Sequence, residues 1–107
     1  MRARPGRVTE NDIAFAACEI AASRPNGVAT FRRMKREIPN IVTLSTADQA
    51  QSQTRPREQL WEQLIRNIKS HFDQPGNYIC EGYLEHVPRV GYGITAAGRR
   101  HLQRGIS

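Results

Sequence analysis

The sequence predicts a mainly α domain with a small β-hairpin, an α+β fold. Two observations carry that reading. Leu60, Trp61, Leu64, Ile65, Ile68 and Phe72 make one continuous apolar face at helical spacing, over about residues 56–73. Residues 83–87 and 91–94 read as two strands joined by a short loop at Pro88-Arg89-Val90. With 107 residues the chain is long enough for one domain and not two. A domain of that size buries one modest core, and Trp61, Phe15, Phe31, Phe72 and the tyrosines supply much of its mass.

Residues 1–8 (MRARPGRV) are basic, hold Pro and Gly and show no period. They read as a disordered arm ahead of a single domain over residues 9–105. Thr9-Glu10-Asn11-Asp12 has the form of a capping box, with the Thr9 hydroxyl on an early backbone N–H and Asp12 near the positive helix end. A first helix follows, with Ile13, Ala16, Ala17, Ile20 and Ala21 on one face. Ser23-Arg24-Pro25-Asn26-Gly27 ends it. Val28-Ala29 is long enough only for one bridge of a sheet. Thr30 caps a second helix, about 30–38, with Phe31, Met34 and Ile38 on one face and Pro39-Asn40 as its stop.

Ile41-Val42-Thr43-Leu44 reads as extended, Ser45-Thr46-Ala47-Asp48 as a cap that opens a single turn, and residues 49–54 as a polar loop. Pro56 suits the first position of the long third helix. Asp73-Gln74-Pro75-Gly76-Asn77 breaks that helix, and Tyr78-Ile79-Cys80 begins extended. After the hairpin, Thr95 caps a last helix, about 96–104, anchored by Ala97 and Leu102. Helix, helix, long helix, hairpin, helix is the layout of a winged helix-turn-helix, although other small α+β domains share it.

The formal net charge is +6. A domain this basic attracts polyanions, with nucleic acid the first partner to consider and an anionic membrane surface the second. A solubility charge with no partner is the plain alternative. No apolar run approaches the roughly 20 residues of a membrane span. The N-terminus has no apolar signal core, so a cytoplasmic location is expected. Cys18 and Cys80 suit a reducing compartment as free thiols.

The positive charge is uneven. Residues 24–40 hold five basic groups and one acid, and residues 89–107 hold four arginines and no acid. On the second helix, Arg32, Arg33 and Arg36 lie side by side, opposite Phe31, Met34 and Ile38, with Lys35 at the edge. In a helix-turn-helix this helix crosses the phosphate backbone; an ordinary solvated face would have the same composition. On the third helix Gln59, Glu62, Gln63, Arg66, Lys69, Ser70 and Asp73 face away from the apolar stripe. Gln pairs with adenine edges and Arg with guanine in the major groove. The helix start, with Thr54, Arg55, Arg57 and Gln59, is where such a helix meets bases, while Gln and Arg are also good helix-surface residues. Arg89, at the hairpin tip, could reach backbone or a narrow minor groove, or stand in solvent.

Catalytic and metal motifs are missing. His71, His86 and His101 fall at intervals of 15, and neither they nor the distant cysteines have zinc-site spacing. His71 flanks the apolar face, where it can be hydrogen-bonded, and His86 falls on an exposed strand position. Gly91-Tyr92-Gly93 lacks the strand–loop–helix context and following Lys-Ser/Thr of a phosphate loop, so it reads as turn and strand glycine. No Gly-x-Ser-x-Gly elbow occurs. Neither an enzyme nor a cofactor or metal site is expected.

Three stretches, TRPREQLWEQLIRNIKSH (54–71), PGNYICEGYLEHV (75–87) and GYGITAAGRRHL (91–102), together resemble the winged-helix DNA-binding modules that accompany restriction endonucleases, including the Mrr type. The resemblance rests on Trp61 with Arg66-Asn67-Ile68 and Ser70-His71, on Gly76-Asn77 and Gly82-Tyr83-Leu84, and on Ile94-Thr95 with Gly98. It covers residues 54–102 well and the first two helices weakly. It implies a bacterial DNA-binding domain; in that family a separate domain cuts the DNA, and residues up to Ser107 show no such domain. Trp61 is then expected in the core, and Gly98 where the last helix approaches the sheet closely.

The expectation is a stand-alone domain on double-stranded DNA, a transcriptional regulator or a restriction- or defence-associated protein. Its third helix lies in the major groove, and Arg32, Arg33, Arg36 and Arg89, with Arg2, Arg4 and Arg7 of the arm, lie on the backbone or minor groove. The rival is a protein-interaction module, a subunit or regulator of a larger complex; a palindromic target would imply a homodimer. RNA is the weaker reading, since no strand carries paired exposed aromatics.

Overall fold

The computed structural model describes residues 7–104; Arg2 and Arg4 of the arm lie outside the described residues. Among the described residues the chain forms four helices and three strands, in the order α1 (Glu10–Ala22), β1 (Val28–Thr30), α2 (Phe31–Ile41), α3 (Leu60–Ser70), β2 (Leu84–Val87), β3 (Gly91–Ile94) and α4 (Ala96–Arg104). The strands make one antiparallel sheet in the order β1-β3-β2. The fold is thus a compact α+β domain.

The local signals at helix starts act as expected. The Thr9 hydroxyl accepts from Asp12 N, and the Asp12 carboxylate accepts from Thr9 N, closing the capping box of α1. Thr30 accepts from Arg33 N at the start of α2, and Thr95 from Gly98 N at the start of α4. The core gathers Ile13, Ala17 and Ile20 of α1, Met34 and Ile38 of α2, Trp61, Ile65 and Ile68 of α3, and Leu84 and Tyr92 of the sheet. Val28-Ala29 belongs to a full strand that pairs with β3, more than a single bridge.

Two glycines are dictated by close approach. A Cβ on Gly91 would stand 1.9 Å from the Ala29 carbonyl oxygen, and one on Gly98 would stand 2.2 Å from the Tyr83 oxygen. The last helix therefore does sit hard against the strand region at Gly98.

Four local expectations are corrected. α2 runs through Pro39 to Ile41, because a proline one turn from the end deletes a single ladder bond and Val42 N still reaches Ile38 O at 2.9 Å. α3 begins at Leu60, not near residue 56. Ser52 Oγ accepts from Thr54 N and Arg55 N, and Ser52 N donates to Glu58 O, so residues 52–58 fold back on themselves as a strap. α3 also ends at Ser70, which leaves Phe72 outside the core and 57 % exposed.

Asn77 accounts for that early end and for the last correction. Its side-chain amide donates to Ile68 O at 2.9 Å and to Glu10 Oε2 at 3.1 Å. Its Oδ1 accepts from Ile79 N and Cys80 N at 2.7 and 3.1 Å. The carboxamide caps the exit of α3 and winds residues 78–80 into turns, so that segment is not extended.

Candidate functional site

α2, the strap, α3 and the hairpin tip are joined by short contacts. Phe31 N donates to Val90 O at 3.0 Å, so Arg32 and Arg89, each one residue from that bond, share a corner. The tip closes with Val90 N on Val87 O, Pro88 and Arg89 occupying the two central turn positions. Arg89 has φ 66°, the left-handed value that this turn position favours in glycine.

The residues singled out from the sequence divide into two groups. Arg32, Arg55, Arg57 and Arg89 are exposed and make no ion pair or side-chain hydrogen bond among the described residues. Arg36 is 62 % exposed and reaches Glu37 only at 4.0 Å. The Lys69 ammonium is likewise without an acidic partner among the described residues. The other residues are engaged. Arg33 Nη1 binds Glu37 Oε2 at 2.5 Å, and Gln63 Nε2 donates to Thr54 Oγ1 at 3.0 Å. Gln59 Oε1 accepts the Trp61 indole N–H at 2.8 Å, and Arg66 Nη2 binds Glu58 Oε2. Thr54, Arg55 and Arg57 stand on the strap and Gln59 at the N-cap of α3, so none lies within a helical turn as the sequence suggested. In the arm, Arg7 Nε lies 3.3 Å from Asp48 Oδ1.

The sequence does not mark Glu58 or Lys35 as central. The Glu58 side chain is only 12 % exposed, and its Oε2 meets Lys35 Nζ at 3.3 Å as well as Arg66. Glu58 Oε1 and Arg66 Nε are buried without a hydrogen-bond partner. Beside this cluster, Phe31, Lys35, Glu62, Ile65, Arg66 and Lys69 line a cleft of about 140 Å³ between α2 and α3. Every acid on these elements has an internal partner, since Glu62 Oε1 accepts from Gln59 N at 2.8 Å. No sequence spacing announces Glu58, because the fold-back of the strap brings it to Lys35 and Arg66.

Tyr92 anchors the underside of α3. Its hydroxyl donates to Ile65 O at 2.6 Å and accepts from Lys69 N at 3.1 Å. Burial pushes the phenol well above its ordinary value, so it stays protonated and able to donate. Burial, with Glu19 nearby, pushes the Cys18 thiol up to about 12, so Cys18 is an inert core group, whereas Cys80 is exposed.

Burial would raise the Asp48 carboxyl. The N–H groups of Ser45 and Val8, the Ser45 hydroxyl and Arg7 outweigh that effect and hold it below its ordinary value. His71 Nδ1 pairs with Glu10 at 2.7 Å, and His86 is exposed beside Tyr92. His101 stacks on Tyr83 with centroids 4.1 Å apart and meets the Tyr78 hydroxyl at 2.9 Å. Among the described residues no three His, Cys, Asp or Glu side chains gather as a metal site, and no helix is long and apolar enough to cross a membrane.

Comparison with protein-family models, curated proteins and solved structures gives no match for this chain.

Proposed function

We propose that this domain is a winged helix-turn-helix that binds double-stranded DNA. The element order and the β1-β3-β2 sheet support the fold assignment. The observation that carries the function is the charge imbalance around α3. The acids there, Glu37, Glu58 and Glu62, are internally bonded, while Arg32, Arg36, Arg55, Arg57, Lys69 and Arg89 are left uncompensated by close ion pairs among the described residues. In this reading α3 enters the major groove with Gln63 and Lys69 toward the bases, and Arg66 stands beside Lys35 at the edge of the α2–α3 cleft. Arg32 and Arg36 grip phosphates, Arg55 and Arg57 do so from the strap, and Arg89 reaches the adjacent backbone.

With about five phosphate contacts, the logarithm of the binding constant falls against log salt with a slope of roughly −4 to −5. Fluorescence titration of a random-sequence duplex at several salt concentrations measures it. Salt-insensitive binding, or no binding to any duplex, sinks the proposal. Selection from a random DNA pool then reads the target, and an enriched palindrome indicates a homodimer.

The exposed Phe72 and Ile41 favour a second reading, a protein-interaction module on the same scaffold. Arg32→Glu combined with Arg36→Glu separates the two: it abolishes DNA binding under the first reading and spares a non-acidic protein partner under the second.

A further inference from the structure

We propose that Glu58 is a built-in stand-in for a DNA phosphate, holding Lys35 and Arg66 in phosphate-binding posture in the free domain and surrendering them when DNA docks. The proposal rests on the DNA-binding reading and concerns how that surface is regulated. A carboxylate only 12 % exposed needs partners, and Glu58 takes two cations on a single oxygen, Lys35 Nζ at 3.3 Å and Arg66 Nη2. The pairing is incomplete on both sides. Glu58 Oε1 has no donor and Arg66 Nε has no acceptor, and they are the buried side-chain atoms without a partner among the described residues.

A phosphate group offers several acceptor oxygens, so it can take the Arg66 fork on Nε and Nη together while also meeting Lys35. The adjoining cleft is lined by the same two cations, by Lys69 and by Glu62, whose Oε1 is held by Gln59 N, over Phe31 and Ile65. The exchange needs no movement of the strap. Its backbone is fixed by Ser52 N on Glu58 O and Glu58 N on Arg55 O, both at 2.8 Å, so the exchange is assigned to a side-chain rotation of Glu58, which would also uncover Arg66 Nε. In the free domain two cations are masked, so any passing polyanion meets a less positive face. In the complex the released carboxylate still repels the backbone, which weakens binding that has no base contacts to offset it.

The test is Glu58→Gln, measured with a random-sequence duplex and, separately, by elution from immobilised heparin, with a thermal melt to confirm folding. The expected result is duplex binding about tenfold tighter, the scale of one close charge–charge interaction screened by water, since the rotated carboxylate stands in solvent. The salt slope steepens by about one, because one carboxylate fewer stands against the phosphates that Lys35 and Arg66 hold, and elution from heparin moves to higher salt. Unchanged or weaker binding with an unchanged slope overturns the proposal.

Should Glu58→Gln fail to fold, the wild-type protein decides. The Arg66 Nε–H cross-peak in a 1H–15N spectrum shifts downfield on adding duplex or a heparin oligosaccharide, and a stationary peak at saturation overturns the exchange. If the duplex binds and the variant changes nothing, the stand-in role fails alone. If no duplex binds but heparin elution shifts as expected, the DNA reading fails and the masking of the two cations stands.

Discussion

Asn77 and His101 are firmly held: the Asn77 carboxamide makes four hydrogen bonds, and His101 lies stacked on Tyr83 with the Tyr78 hydroxyl on its nitrogen. Around Glu58, by contrast, one carboxylate oxygen carries two cations, the other carries none, and the neighbouring Arg55 and Arg57 guanidinium groups have no partner among the described residues. Both regions sit on the same helix, α3, Asn77 closing its C-terminus and Glu58 pairing with its Arg66. Saturated hydrogen bonding fixes one conformation, whereas unsatisfied donors are open to an incoming acceptor. The difference separates the part of the molecule that holds the fold from the part available for binding.

The largest effect is expected where matching is complete. Asn77→Ala leaves Ile79 N, Cys80 N and Ile68 O without their partner and destabilises the domain by roughly 3 kcal/mol. A urea melt measures the loss, and the folded fraction keeps its duplex affinity. An affinity loss in the folded fraction would blur the division between the two regions.

Asp48 gives the next effect, and it depends on pH. Its folded carboxyl titrates below the ordinary value of 3.8, so its contribution is present above that value and is lost as the pH falls from there through the lowered one. Asp48→Asn costs about 1–2 kcal/mol at pH 7 by disturbing the bonds to Val8 and Ser45. Urea midpoints of the two proteins converge below about pH 3.8; a constant gap down to pH 2 would contradict the assignment.

Arg89 sharpens the comparison on the binding side. Arg89→Gly removes a cation but suits the φ of 66°, so stability is unchanged or rises by up to about 1 kcal/mol. The salt slope falls by about 1 if the tip meets a phosphate. A thermal melt and a salt titration read these independently, and an unchanged slope limits the hairpin to closing the fold. The smallest effect is chemical: a thiol reagent labels exposed Cys80 in the native protein, while Cys18 reacts only on unfolding.

Local rules read much of the fold. Thr9, Thr30 and Thr95 announce their helices because capping involves neighbours in the chain. The stripe through Trp61, Ile65 and Ile68 names the buried face of α3 because helical period does not depend on tertiary context. What local rules miss are side chains acting over distance. Ser52 and Glu58 shorten α3 at its start and Asn77 at its end, and each does so by bonds that form only once the chain has folded back. The same cause hides part of the candidate site: Arg32 and Arg89 are recognisable from composition and turn position, but Glu58 becomes relevant only when Lys35 and Arg66 reach it.

Tyr92 has a mechanical consequence. An α-helix joins the carbonyl of residue i directly to the amide of residue i+4, and the Tyr92 hydroxyl bridges such a pair, Ile65 and Lys69. Such insertions are places where helices bend. The final turn of α3 is thereby tied to a strand of the hairpin: a single hydroxyl on β3 holds the backbone at Ile65 and Lys69, like a cleat on a rope.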